Sequence, residues 1–158
     1  MPEANLLQLF PALDAQNHQI ESPLNGRYNC VSWAMEDTAR FWWPSPMGGA
    51  FWPHGIARVP TLGSFMQAFA QMGYQPCQTA DLEPDYKKIA LYADASGVPT
   101  HVARQLPSGE WTSKIGRDED IRHATLGVLE GGGYGHVARI FRRSTAAPPV
   151  PKKLKVKG

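Results

Sequence analysis

Cys30 and His101 are the two side chains whose types and order could carry nucleophilic chemistry. Cys30 lies in Tyr28-Asn29-Cys30-Val31-Ser32-Trp33-Ala34, after the turn-like stretch Ser22-Pro23-Leu24-Asn25-Gly26. This placement predicts a helix that starts at or near the cysteine. Unpaired backbone N–H groups and the positive end of the helix dipole favour an anion there. A thiol so placed has a lowered pKa and is more often thiolate, the nucleophilic form. His101 opens a predicted strand and is the candidate base. Thiol catalysis also needs a group that orients the base and donors for the oxyanion. The Cys30 backbone N–H is a natural oxyanion donor, with Asn29, Tyr28 and Trp33 as its cleft neighbours. The third member belongs on the strand after His101, where Thr112, Ser113 and Lys114 are the candidates. If Leu106 pairs with Trp111, His101 shares a face with Thr112 and Lys114. A one-residue change in the loop puts Ser113 on that face instead. His123 is a further candidate partner of the imidazole.

The elements that must position these residues follow from periodicity. Asn29 to about Trp42 reads as a helix, with Val31, Ala34, Met35, Thr38 and Trp42 near helical spacing. Pro44, Pro46, Gly48 and Gly49 would end it. An aromatic, proline-rich loop holds Trp42, Trp43, Phe51 and Trp52, expected to pack over the first helix. Thr61 is the expected N-cap of a second helix through about Met72, with Leu62, Phe65, Met66 and Phe69 on one face and Gly73 as its stop. Strands follow at Lys88–Ala93, Thr100–Leu106, Trp111–Ile115 and Tyr134–Arg142, with Pro107-Ser108-Gly109-Glu110 as a hairpin loop. Asp118–Glu130 is ambiguous and reads as a short helix. Leu6–Leu13 is a helical turn or an arm. Helices first and an antiparallel meander after them make an α+β fold, the N-terminal helices packed on the sheet.

Composition narrows the classes. The chain has 158 residues, 42% hydrophobic and 19% charged, which suits one domain with its own core. We read residues 1–143 as that domain and 144–158 as a basic, proline-rich, disordered tail, a candidate docking segment for a protein partner. Net charge is +2, and the tail carries Lys152, Lys153, Lys155 and Lys157. The body is therefore near neutral, without the electrostatic footprint of nucleic-acid binding. No apolar run approaches the roughly 20 residues that span a bilayer, so no membrane partner is expected. No signal-peptide pattern opens the chain, which predicts a cytoplasmic protein, although export without a cleaved signal would leave no trace. Cys30 and Cys77 are too few for a disulfide scaffold, and Cys77 reads as structural. No Cys-x-x-Cys pair is present, and Gly131–Gly133 is not followed by the Lys-Ser/Thr of a phosphate loop. Neither a metal nor an organic cofactor is expected. Lys114 and Arg104 could meet an acidic substrate group, or simply be strand charges in solvent.

Asn29-Cys30-Val31-Ser32-Trp33-Ala34 resembles the nucleophile motif of NlpC-type, papain-like thiol hydrolases. His101 through Ser113 is similar to the strand, Gly-containing turn and strand that follow in that family. The resemblance covers about residues 25–142 in order of elements. It implies a papain-like fold in which Cys30 attacks an amide or peptide bond. His101 would take and return the proton, and Ser113, at the third catalytic position, would hold the imidazole. Ser113 is a weaker orienter than the family's usual His, Asn, Asp or Gln. That motivates an alternative, a catalytically inactive papain-like binding module. A deamidase or transglutaminase-like effector is a third reading, since papain-like folds host several chemistries.

Overall fold

The computed structural model describes residues 9–22, 27–115 and 119–145. Its elements in chain order are β1 (His18–Ser22), α1 (Cys30–Ala34), α2 (Leu62–Gln71), β2 (Gln75–Cys77), β3 (Tyr86–Ala93), β4 (Pro99–Gln105), β5 (Trp111–Lys114), β6 (Asp120–His123), a 3₁₀ turn (Leu126–Leu129) and β7 (His136–Ser144). All pairings between named strands are antiparallel, in the order β1-β6-β5-β4-β3-β7-β2. The fold is α+β and dominated by this sheet.

The sheet is covered on both faces because its central strands are apolar at successive positions. β3 is buried from Ile89 to Ala93. Ile89, Leu91 and Val102 point to one face, where they meet Val31, Ala34, Phe65, Ala68 and Phe69 of the two helices. Edge-to-face aromatic pairs fill this core. Trp43 and Trp52 lie 5.4 and 5.1 Å from Phe65, and Phe69 lies 5.3 Å from Phe141. Ala90, Tyr92, Ala103, Trp111 and Ile121 point the other way, under Phe10, Leu13 and the 3₁₀ turn. The N-terminal apolar segment is thus an arm that closes the second face.

α2 has the expected limits. Thr61 Oγ1 accepts from the Ser64 N–H at 3.1 Å, and Gly73 leaves the helix at φ 93°. α1 is shorter than its pattern predicts, ending at Ala34 and not near Trp42. Glu36 takes a left-handed conformation, φ 61°, which turns the chain out of the helix. Asp37 then fixes the new course, accepting from the Ala39 N–H, Arg40 Nε and Trp42 Nε1. The segment read as a short helix, 118–130, is β6 followed by the 3₁₀ turn over its described residues. β1 and β2 carry no sequence signal of their own. Of the tail, Ser144 ends β7 and Thr145 follows it, while 146–158 lie outside the described residues.

The β4–β5 hairpin closes with Gln105 opposite Trp111 and Arg104 opposite Thr112. The loop is therefore one residue longer than in the Leu106–Trp111 register. His101 and Ser113 fall on one face, and Thr112 and Lys114 on the other.

Gly135 ends a tight turn at φ 73°, and a Cβ there would lie 2.1 Å from the Ala93 carbonyl oxygen. Gly97 has a similar φ of 85° but open space around it. Gly135→Ala should therefore lose at least about 2 kcal/mol of stability, and Gly97→Ala about 1 kcal/mol. Urea unfolding midpoints of the two variants check the difference.

Candidate functional site

Asn29 sets the start of α1. Its Oδ1 accepts from the Ser32 N–H at 3.2 Å, and Ser32 Oγ accepts from the Asn29 N–H at 2.7 Å, a capping box. The same amide clamps the aromatic loop. Asn29 Nδ2 donates to the Trp42 carbonyl at 2.8 Å, and Oδ1 accepts from the Trp42 N–H at 3.2 Å. The amide of Asn29 is thus committed to structure, which corrects its assignment as an oxyanion helper. Tyr28 stacks on Trp33 at 5.5 Å, and Lys114 Nζ lies 5.1 Å from the Tyr28 ring centroid. Trp33 Nε1 donates to Thr112 Oγ1 at 3.0 Å. Both aromatics therefore pack α1 onto β5.

Cys30 is the first residue of α1, as its sequence context predicts, and α1 packs on β4 and β5. Its side chain joins the core of Val31, Ala34, Leu91 and Val102 and is 6% exposed. Burial pushes the thiol up to about 11, against the hydrogen bonds of the Val102, Val31 and Cys30 backbones and the charge of Lys114, which favour thiolate. At neutral pH Cys30 is a thiol.

His101 does not meet it. On β4, Val102 faces α1, so His101 faces the opposite core. There it stacks on Tyr134, ring centroids 4.1 Å apart and planes within 7°, and meets Tyr92 edge-on at 5.3 Å. It is 1% exposed, and neither ring nitrogen has a hydrogen-bond partner. Desolvation, reinforced by His123, holds its pKa well below the usual histidine range. The expected Cys30–His101 pair is therefore not formed. The strand alternation puts the sheet itself between the two groups.

The residues expected to assist His101 pair with each other. His123 Nδ1 lies 2.9 Å from the Thr125 carbonyl, which can only accept, so Nδ1 carries the proton. Nε2 then accepts from the Ser113 hydroxyl at 2.8 Å. Both residues are fully buried. Desolvation lowers His123 to about 4, against the bond to Thr125. Ser113 and His123 thus lock β5 to β6 from inside the second core, and Ser113 does not orient His101.

A cavity of about 530 Å³ was not anticipated from the sequence. It opens at the far end of β4, with Glu36, Lys87, Arg104 and Leu106 in its wall. Arg104 carries the signal that could have found it, a charge on an otherwise buried strand. Lys114, weighed with it, is instead fully buried beside Tyr28. Among the described residues, no group of three or more His, Cys, Asp or Glu stands together to hold a metal ion. No helix among them is long and apolar enough to cross a membrane.

A family model described as a domain of unknown function, DUF7689, matches residues 19–142, and the chain belongs to that family. The match runs from β1 into β7 and takes in every strand between them. No curated protein and no solved structure matches the chain.

The buried histidines give the fold an acid limit. Their folded pKa values lie below the unfolded value of about 6.5, so the unfolded chain takes up protons first as pH falls. The stability they allow is complete above about pH 6.5 and is lost as pH falls towards the folded values. For His123 the loss by pH 4 is about 3 kcal/mol. His101→Phe keeps the stack on Tyr134 and removes two unpaired nitrogens. It should stay within about 1 kcal/mol of the parent at pH 7 and flatten the acid slope. Urea unfolding between pH 7 and 4.5 checks both.

Proposed function

We propose that this DUF7689 domain is a papain-like scaffold used as a binding module, with no thiol-hydrolase step. The observation that carries this reading is the burial of Cys30 and His101 in different cores, on opposite faces of one sheet. A nucleophile and its base must come within hydrogen-bond reach. Here strand β4 intervenes, and burial keeps the thiol protonated and the imidazole neutral. The papain-like kinship is supported by the order of elements. A helix opened by cysteine packs on an antiparallel meander, with histidine, a Gly-containing turn and a polar residue following on successive strands. Cys30 and Cys77 are both free thiols, which suits a reducing, cytoplasmic setting.

One observation favours the hydrolase reading. Cys30 stands at the first position of α1, where helix geometry leaves its own backbone N–H without an intrahelical carbonyl, a donor that an oxyanion site would use. That reading, and the deamidase or transglutaminase-like variant with the same nucleophile, needs His101 on the face of Val102.

Iodoacetamide alkylation of Cys30 against pH, in a Cys77→Ser background, separates the two. The binding-module reading expects slow reaction, an apparent pKa above the usual value of about 8.5 and no dependence on His101. Fast reaction well below pH 8 that is lost in His101→Ala would establish the Cys–His pair and overturn the proposal.

A further inference from the structure

The cavity at the end of β4 has one guanidinium that the protein leaves unused. Lys87 Nζ is held by Glu36 Oε2 at 2.8 Å. Glu83, also in the wall, is held by Lys88 at 2.9 Å and Arg142 at 2.7 Å. Among the described residues, the Arg104 side chain has no hydrogen-bond or ion-pair partner. Its Nε is buried without a partner, and its Cζ lies 5.1 Å from the centroid of the Trp33 ring. The aromatic face positions the guanidinium and shields one side of it from water, while the planar donor edge stays available.

The field around Arg104 favours an anion. Burial raises the Glu36 pKa, but the hydrogen bond and charge of Lys87, with Arg104 and Arg143 beyond, leave its carboxyl below the usual range. Lys87 pairs with this carboxylate, while Arg104 and Arg143 act on it only through space. The remaining acid of the wall is Asp85, which disfavours a second negative charge on a ligand. The rest of the wall includes Leu82, Pro84, Leu106 and Pro107, and about 530 Å³ is the size of a small-ligand site.

We infer that this cavity binds a monocarboxylate carried on an apolar chain, with Arg104 as the carboxylate anchor. Guanidinium and carboxylate match as a bidentate pair, and a buried Nε–H without a partner is relieved by that contact. The apolar chain would lie along Leu82 and Leu106. Such a carboxylate has two sources, a free acid or the C-terminus of an apolar peptide. The inference rests on the binding-module reading only in naming a ligand for it. Alkylation of Cys30 tests that reading, whereas the measurement below does not involve Cys30.

The full chain, ¹⁵N-labelled, is titrated with octanoate and with N-acetyl-Leu-Leu, each beside its primary amide, while the Arg104 Nε–H resonance is followed. Either acid should shift that resonance saturably, at least tenfold more tightly than its amide, and the tighter acid identifies the source. Arg104→Gln should weaken the acid at least tenfold, and Arg104→Lys less, because lysine keeps the charge and loses the fork. Resonances of Leu82 and Leu106 report binding in these variants. If Arg104→Gln does not fold, the acid–amide contrast in the parent decides alone. No saturable shift with either acid, equal binding of acid and amide, or unchanged affinity in a folded Arg104→Gln would overturn the assignment.

Discussion

The structure depends on a sheet whose central strands are covered on both sides. Along β3 and β4 the side chains alternate between two separate cores, Ile89, Leu91 and Val102 on one side and Ala90, Tyr92 and Ala103 on the other. Slipping either strand by one residue would exchange the two sets and put each into a space built for the other. The register is thus held by packing on two faces at once. It fixes the chemistry as well, because adjacent residues of a strand cannot serve the same face. Val102 touches the helix that begins at Cys30, so its neighbour His101 is committed to Tyr92 and Tyr134.

The two cores handle polar groups differently. The helix-covered face keeps charges and surrounds them with partners. Buried Lys114 stands opposite buried Asp120 across β5 and β6, with its ammonium 5.1 Å from the Tyr28 ring centroid. Burial of such groups is tolerable only with these contacts. The second face holds one buried charge, Lys88, bonded to the Thr79 carbonyl at 2.7 Å and paired with Glu83 at 2.9 Å, and otherwise carries neutral groups, the imidazoles of His101 and His123 and the hydroxyls of Ser113 and Tyr92. The Tyr92 hydroxyl donates to the Leu126 carbonyl at 2.7 Å, and burial, then the charge of Glu130, raises its pKa. Neutral groups need fewer partners, and His101 is left with none. A catalytic pair between the faces would need a polar channel through the sheet, where Ile89, Leu91 and Ala103 instead pack tightly.

What the sequence reveals divides along the same physical line. Thr61 and Gly73 bracket α2 because capping is local chemistry, and β3, β4 and β5 are legible from apolar runs broken by turn residues. The start of α1 is legible for the same reason, through Asn29 and Ser32. Its end is not, because a helical pattern continues to Trp42 while a left-handed Glu36 and the bonds of Asp37 overrule it. β1 and β2 are edge strands of five and three residues, held by their neighbours more than by propensity. The face on which a strand residue lands depends on one residue of loop length. Cysteine at a helix start and histidine on the adjoining strand could therefore be read, but not that they are back to back. Ser113 and His123 were recognisable as partners of an imidazole, and the imidazole proves to be that of His123 itself.

The early end of α1 also explains why a cavity exists. Five helical residues rise only about 7.5 Å, whereas the seven residues of β4 beneath them extend about 23 Å. So short a helix cannot cover the strand on which it packs. It covers Val102 with Cys30, Val31 and Ala34, and beyond them the Trp33 ring reaches Arg104. A helix continuing to Trp42 would not turn at Glu36 or bring its carboxylate to Lys87. The left-handed residue that truncates α1 thus shapes the wall of the cavity. The same turn that shortens the helix leaves Arg104 stacked, partly desolvated and free to take a carboxylate from outside the chain.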